Sequence, residues 1–211
     1  MKPPRGTNLV AMGAGEPFLN LEALLKALRV MADADGLYIV PNRVTVSTAG
    51  VVPKILELAA VPDRPHLAIS LAAPTDELRD ELMPINKKWP IEELLSACKE
   101  FEKTLKSGER FTFEYVMLAG VNDSEEQARQ LANLLNRHGL KAKVNLIPHN
   151  PADPLPYQPS SEETVQRFKS VLESKGIHTY VRRPRGRDIF AACGQLAARH
   201  SAPIETNSVG V

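Results

Sequence analysis

The side chains best suited to nucleophilic or metal chemistry in this sequence are its two cysteines, Cys98 and Cys193. Two thiols cannot form a disulfide framework, and by themselves they are too few for a zinc site or a cubane cluster, which take three or four thiolates. Cys98 shares a helical face with Leu94, Leu95, Phe101 and Leu105, the pattern of an inert core thiol. Cys193 has similar spacing to Ile189 and Leu196, so spacing alone does not separate the two. Glu16 lies in Gly13-Ala14-Gly15-Glu16-Pro17, where glycines let a ligand approach the backbone and the carboxylate can accept bonds from an ammonium group. A tight turn with a solvated acid explains the same residues. Hydroxyls occur in Ser47-Thr48-Ala49-Gly50 and Ser70-Leu71-Ala72-Ala73-Pro74, where they suit polar ligand groups or helix caps. In Ile147-Pro148-His149-Asn150-Pro151 the amide of Asn150 can read an adenine-like edge, or turn the chain before proline. Arg182-Arg183-Pro184-Arg185-Gly186-Arg187-Asp188 is a basic loop fitted to phosphate or to solvation alone. The histidines His66, His138, His149, His178 and His200 show no metal-ligand spacing, and no role is assigned to them.

These residues need a scaffold that brings distant loops together. Short runs rich in Val, Ile and Phe alternate with segments of helical period, which predicts parallel strands joined by crossover helices. The strands are read at Asn8–Met12, Arg43–Thr48, Leu67–Leu71, Phe111–Met117, Ala142–Ile147 and His178–Arg182. Leu21, Leu24, Leu25 and Leu28 form one amphipathic helix face. Ile91, Leu94, Leu95, Cys98, Phe101 and Leu105 form another, after Pro90. A third helix opens at Asn122-Asp123-Ser124-Glu125 and stops at Gly139; a fourth opens at Ser160-Ser161-Glu162-Glu163 and stops at Gly176. A further helix is read from about Asp188. The connection from Pro148 to Ser160 holds five prolines and is a candidate binding loop. The pattern fits an open doubly wound sheet or a partial (β/α) barrel; both gather ligands at the C-terminal ends of strands, where Glu16, Ser47, Ser70 and Asn150 fall.

With 211 residues, 43% hydrophobic and 24% charged, the sequence reads as one globular domain over residues 1–200, with residues 201–211 a frayed tail. A formal charge of +1 gives no global pull toward a polyanion, so any nucleic-acid site must be a local patch. The sequence has no secretory signal and no apolar run of the ~20 residues that a membrane span takes, which predicts a cytoplasmic protein without a membrane partner.

Several strings occur in one order that is specific in combination: Met12-Gly13-Ala14-Gly15-Glu16-Pro17, Arg43-Val44-Thr45-Val46-Ser47-Thr48, Glu77-Leu78-Arg79-Asp80-Glu81-Leu82-Met83-Pro84-Ile85-Asn86, Phe113-Glu114-Tyr115-Val116 with Gly120-Val121-Asn122-Asp123, Val144-Asn145-Leu146-Ile147-Pro148, and Ala191-Ala192-Cys193-Gly194-Gln195-Leu196. In this order the sequence resembles the RlmN/Cfr family of radical S-adenosylmethionine RNA methyltransferases, over nearly all of Asn8 to Ala197. The resemblance implies a partial TIM-type barrel, truncated at its N-terminal end, that binds S-adenosylmethionine and methylates C2 of adenine in 23S rRNA and tRNA; the Cfr branch modifies C8. It also implies that Gly15 and Glu16 hold the methionine part of the cofactor, and that Ser47, Ser70, Leu71, Ala72 and Asn150 contact the rest. By the same match Cys193 carries the methyl group. Adenine C2 is an electron-poor carbon and a poor nucleophile, and radical chemistry avoids direct displacement on a sulfonium. In the family, one cofactor methylates the cysteine, and a second, cleaved at a 4Fe-4S cluster, supplies the radical that activates the methyl.

This sequence lacks the family's CxxxCxxC loop, its resolving cysteine, its proposed proton-accepting glutamate and its N-terminal RNA-binding domain. It also departs from the family at Ala72, where His is usual, and at Arg187 and Phe190, where acidic residues are usual. The expectation is therefore a C-terminal catalytic portion, inactive in radical chemistry alone and active when an N-terminal half is supplied by a longer parent or a partner. Two alternatives stand beside it: a non-catalytic descendant that binds nucleotide or RNA, and an unrelated barrel enzyme that uses Arg182 to Arg187 for a phosphorylated metabolite.

Overall fold

The computed structural model describes residues 6–13, 15–150 and 156–182. In chain order these form β1 (Leu9–Ala11), α1 (Leu21–Ala32), β2 (Val44–Thr48), α2 (Val52–Ala59), β3 (His66–Ser70), α3 (Asp76–Leu82), α4 (Ile91–Glu102), β4 (Phe111–Met117), α5 (Glu125–Arg137), β5 (Ala142–Pro148), α6 (Glu162–Ser174) and β6 (His178–Val181). The strands make one sheet in sequential order, with every neighbouring pair parallel. That order decides between the two architectures, because a doubly wound sheet reverses its direction of growth partway and this one does not. Right-handed crossovers that always step the same way put the helices on one face and leave the other concave.

The sheet is curled. Arg182 Nη1, just after β6, lies 3.2 Å from Met12 Sδ, just after β1. Two such side chains span at most about 14 Å between backbones, whereas the outer strands of a flat six-stranded sheet lie about 24 Å apart. The fold is a partial (β/α) barrel.

Alternation along the strands assigns the faces. Val44 and Val46, Leu67 and Ile69, Phe111, Phe113 and Tyr115, and Val144 and Leu146 are buried against the helices. Leu21 and Leu28 from α1, Ile55 and Leu58 from α2, Leu94, Leu95, Cys98 and Phe101 from α4, Leu131 and Leu135 from α5, and Phe168 and Leu172 from α6 meet them. Phe111 packs edge-on to both Phe101 and Phe113. Truncating a ring such as Phe113 to alanine costs roughly 3–5 kcal/mol.

The caps follow local chemistry. Ser124 accepts from the Gln127 backbone while the Gln127 side chain returns to Ser124, closing a capping box at α5. Ser161 accepts from Thr164 N at α6, one residue later than the first of the two serines. β5 runs one residue past its expected end to Pro148, and His149 N, the next backbone donor, reaches Met117 O at 3.1 Å. At the N-terminal end of the barrel, Arg64 lies 4.2 Å over the Phe101 ring and donates to Thr104 and Glu109. Among the described residues no helix is long and apolar enough to cross a membrane.

Candidate cofactor-binding rim

Every expected site residue in the described part lies at or just beyond the C-terminal end of a strand. Gly15 has φ +90, a left-handed conformation that favours glycine, and a side chain built there would meet nothing within 4 Å. The backbone, not crowding, calls for glycine, and the space above it is open. Glu16, half-buried, is held from two sides. Its Oε1 accepts from Phe18 N at 3.0 Å, and its Oε2 accepts from Ala49 N at 2.7 Å in the loop after β2. Two backbone donors fix the carboxylate, and among the described residues its remaining lone pairs can receive a cationic or hydroxyl donor.

Ser47 faces the concave side, while its neighbour Thr48 is buried and accepts from Gly50 N and Val51 N. Neither Ser47 nor Ser70 caps a helix: α2 has no side-chain cap, and Thr75 caps α3. The loops after β2 and β3 are joined by Arg79 from α3, which is fully buried. Its Nη2 donates to Ala49 O at 2.7 Å and Ser70 O at 3.1 Å, its Nε to Leu71 O at 2.9 Å, and its Nη1 to Asn86 Oδ1 at 2.8 Å. Burial draws its pKa down to about 10, opposed chiefly by Asp76, so the guanidinium remains charged at neutral pH.

Ala72 adopts φ +63, the left-handed region that a residue with a Cβ enters at a cost. Its carbonyl accepts from Asn122 Nδ2 at 2.8 Å. The same amide group donates to Val116 O at 2.7 Å, and Asn122 Oδ1 accepts from Leu118 N at 2.7 Å. Tyr115 donates its hydroxyl to Asn122 O. A buried asparagine thus ties the β3 loop to the β4 loop.

Inside the barrel, Ser70, Glu114 and Asn145 lie side by side in register across β3, β4 and β5. Glu114 Oε1 accepts from Asn145 Nδ2 at 2.9 Å, and its buried Oε2 has no hydrogen-bond partner among the described residues. Burial raises the Glu114 pKa, against the Asn145 bond and the charge of Arg182. Asn150 stands two residues beyond β5, half-buried, next to His149, whose pKa burial lowers. Cys193, the basic loop beyond Arg182, and Arg187 and Phe190 lie outside the described residues, as do the helix expected from Asp188 and the tail. Cys98 is sealed in the core, and burial pushes its thiol far above the usual range. An open depression of about 560 Å³ lies apart, between the N-termini of α5 and α6, lined in part by Ser124, Ser161 and Arg167.

The sequence pattern did not single out Arg79, Asn122, Glu114 or Asn145 as functional. A signal existed for two of them: Glu114 interrupts the apolar run Phe111–Met117, and Asn122 has no capping duty once Ser124 supplies it.

The rim suits S-adenosylmethionine. An anchored carboxylate, two hydroxyls, strand-end peptides and an amide match a molecule that is part amino acid and part nucleoside, and the unpartnered Glu114 oxygen adds an acceptor within the barrel. The residues do not suit a 4Fe-4S cluster. The sequence has two cysteines, one of them sealed, and among the described residues no group of three or more His, Cys, Asp or Glu is placed to hold a metal.

The family profile described as "Radical SAM superfamily" matches residues 1–132. The chain belongs to the radical SAM superfamily. Over 90% of its length this radical SAM chain is 53% identical to the "Probable dual-specificity RNA methyltransferase RlmN" of Koribacter versatilis, covering 53% of that protein. It is 51% identical to the "Dual-specificity RNA methyltransferase RlmN" of Methylorubrum extorquens, again over 90% of this chain, with 44% of the relative covered. The chain spans about half the length of the curated relatives it matches. A solved radical SAM methyltransferase from Sphaerobacter thermophilus superposes with TM-score 0.85 at 47% identity, over 90% of this chain and 54% of that one. A domain of pyruvate-formate lyase-activating enzyme from Bacteroides vulgatus, 17% identical with TM-score 0.59, covers 83% of this chain and 98% of its own, and shares the fold. The expected partial barrel and the RlmN resemblance both stand.

Proposed function

We propose that this chain is the cofactor-binding and methyl-carrying portion of an RlmN-like RNA methyltransferase, acting in the cytoplasm on C2 of adenine in 23S rRNA and tRNA. The observation that carries the reading is the Glu16 carboxylate, fixed by two backbone donors at the mouth of a partial barrel and aligned with a loop that tolerates close approach. Gly15 and Glu16 hold the methionine ammonium end. Ser47, Ser70, Leu71, Ala72 and Asn150 receive the remaining groups. Cys193 would be the residue that carries the methyl. Bound S-adenosylmethionine supplies an activated methyl on a sulfonium; the chain's part is to orient it, with the Glu16 carboxylate held toward the ammonium by the Phe18 and Ala49 backbone donors. The cysteines for a cluster come from outside these 211 residues, and without them the chain is inactive in radical chemistry.

The test is complementation. The chain is co-expressed with the preceding, cysteine-loop-bearing half of an RlmN relative in cells lacking RlmN, and 23S rRNA and tRNA are digested and read for 2-methyladenosine by mass spectrometry. The modified base is expected, and Cys193→Ala abolishes it. A second reading, a non-catalytic nucleotide- or RNA-binding descendant, is favoured by Ala72 in place of the usual histidine. RNA that stays unmethylated with both halves folded and associated selects that second reading.

A further inference from the structure

We infer that Arg79 is a positioning residue that sets the cofactor rim, acting through the Ala49 peptide. The inference rests on the reading of this rim as the S-adenosylmethionine site. Ala49 is gripped at both ends of one peptide plane and the next: its N–H donates to Glu16 Oε2 at 2.7 Å, and its C=O accepts from Arg79 Nη2 at 2.7 Å. The same guanidinium takes Ser70 O and Leu71 O. One buried cation therefore joins the ends of β2 and β3 directly, and reaches the end of β1 through the Ala49 peptide and Glu16; these ends carry Glu16, Ser47 and Ser70 to Ala72.

The arrangement is one that only arginine can make. Four acceptors lie around a planar group with five donors, whereas lysine carries three donors on a single atom and cannot address points on opposite edges of a plane. Arg79 is itself held. Asn86 accepts from its Nη1 and donates to Asp76 Oδ1 at 2.9 Å and Asp80 Oδ1 at 2.7 Å, which places two carboxylates behind the guanidinium. Asp76 Oδ1 also accepts from Ile91 N at 2.8 Å, fixing α3 to the start of α4. The chain Ile91, Asp76, Asn86, Arg79, Ala49, Glu16 runs from the helix layer to the rim in direct hydrogen bonds. Gly50 belongs to this fit: its φ is +113, and a side chain there would come within 3.4 Å of Arg79 Nη2 and 3.2 Å of Leu94. The loop is shaped to let the guanidinium reach Ala49 O.

The experiment measures S-adenosylhomocysteine affinity by calorimetry for the wild-type chain, Arg79→Lys and Leu172→Ala. The last is a buried α6 variant chosen to lower thermal stability comparably without touching the rim. Arg79→Lys is expected to weaken binding at least tenfold and to lose hydrogen-exchange protection at the Ala49 amide. Leu172→Ala, at a temperature where both variants are folded, keeps affinity within twofold and keeps that protection. Wild-type affinity in Arg79→Lys overturns the inference and leaves the proposed function in place; equal weakening in both variants also overturns it, by reducing Arg79 to general stability. If Arg79→Lys does not fold, Asn86→Ser decides, since it removes one anchor of the guanidinium: about threefold weaker binding is expected, and unchanged binding overturns the inference. A wild-type chain that binds no S-adenosylhomocysteine overturns both the inference and the proposed function.

Discussion

Replacing Asn122 by alanine removes three hydrogen bonds from a fully buried position, and the structure allows the cost to be worked out. Ala72 O and Val116 O lose a donor, and Leu118 N loses an acceptor. Each bond contributes about 1 kcal/mol net, and groups left dry and unpaired add to that, so a loss of about 3–4 kcal/mol is expected. That is at least a hundredfold in the folding equilibrium, since each 1.4 kcal/mol is tenfold. With a urea dependence of about 2 kcal/mol per molar, the midpoint falls by about 1.5–2 M. The assay is urea unfolding followed by circular dichroism, with the slope required to match wild type. Asn122→Asp sharpens the test. Its carboxylate would face two carbonyl oxygens, so its folded-state pKa is raised above the unfolded value near 3.9. The variant therefore holds its greatest stability below that value and loses it as pH rises through the raised folded pKa. A loss below about 1 kcal/mol in Asn122→Ala, or an Asn122→Asp variant that gains stability relative to wild type as pH rises, refutes the reasoning.

Other outcomes follow from single residues. Ala72→Gly relieves a left-handed backbone and is expected to raise stability by roughly 0.5–1 kcal/mol in thermal unfolding, whereas a lower melting temperature would mean that φ +63 carries no strain. For Glu109, burial pushes the pKa up but is outweighed by the Lys106 backbone, Arg64 and His66, so the net shift is downward from 4.5. Its contribution is present above 4.5 and lost as pH falls through the lowered folded value; Glu109→Gln should flatten the acid limb of a stability-against-pH curve, and an unchanged limb would discount the network. Glu114 has the opposite sign: its raised pKa means that its favourable contribution holds below 4.5 and is lost as pH rises through the folded value. Glu114→Gln should therefore melt higher than wild type at pH 8 and gain less at pH 4, and a gain independent of pH would rule out ionisation as the cause.

The six strands were legible because their helix-facing positions carry Val, Ile, Leu or Phe at alternate residues in short runs, and each was placed to within about a residue or two of its end. Helices with a long apolar stripe or a serine cap, α1, α4, α5 and α6, were legible for the same reason. α2 and α3 were not read as elements: α2 spans eight residues with no side-chain cap, and α3 spans seven that are mostly charged, so neither gives a period long enough to see. The strand pattern alone left barrel and doubly wound sheet open, since the choice depends on which edge each strand joins; the family resemblance implied the barrel, and the sequential strand order bears it out. Resemblance placed Glu16, Ser47, Ser70 and Ala72 on one rim. It did not show that Arg79 and Asn122 join their loops, because a polar residue that saturates carbonyls from a distant element leaves no local pattern; Arg79 and its acceptor Ala49 are 30 residues apart.

The most direct test of the rim as a cofactor site is a crystal structure of the chain soaked with S-adenosylhomocysteine. Density is expected along the strand ends, with the amino group on Glu16 and the nucleoside extending past Ser70 toward Asn150. Density confined to the outer depression beside Arg167, or a rim left empty at saturating ligand, would contradict it.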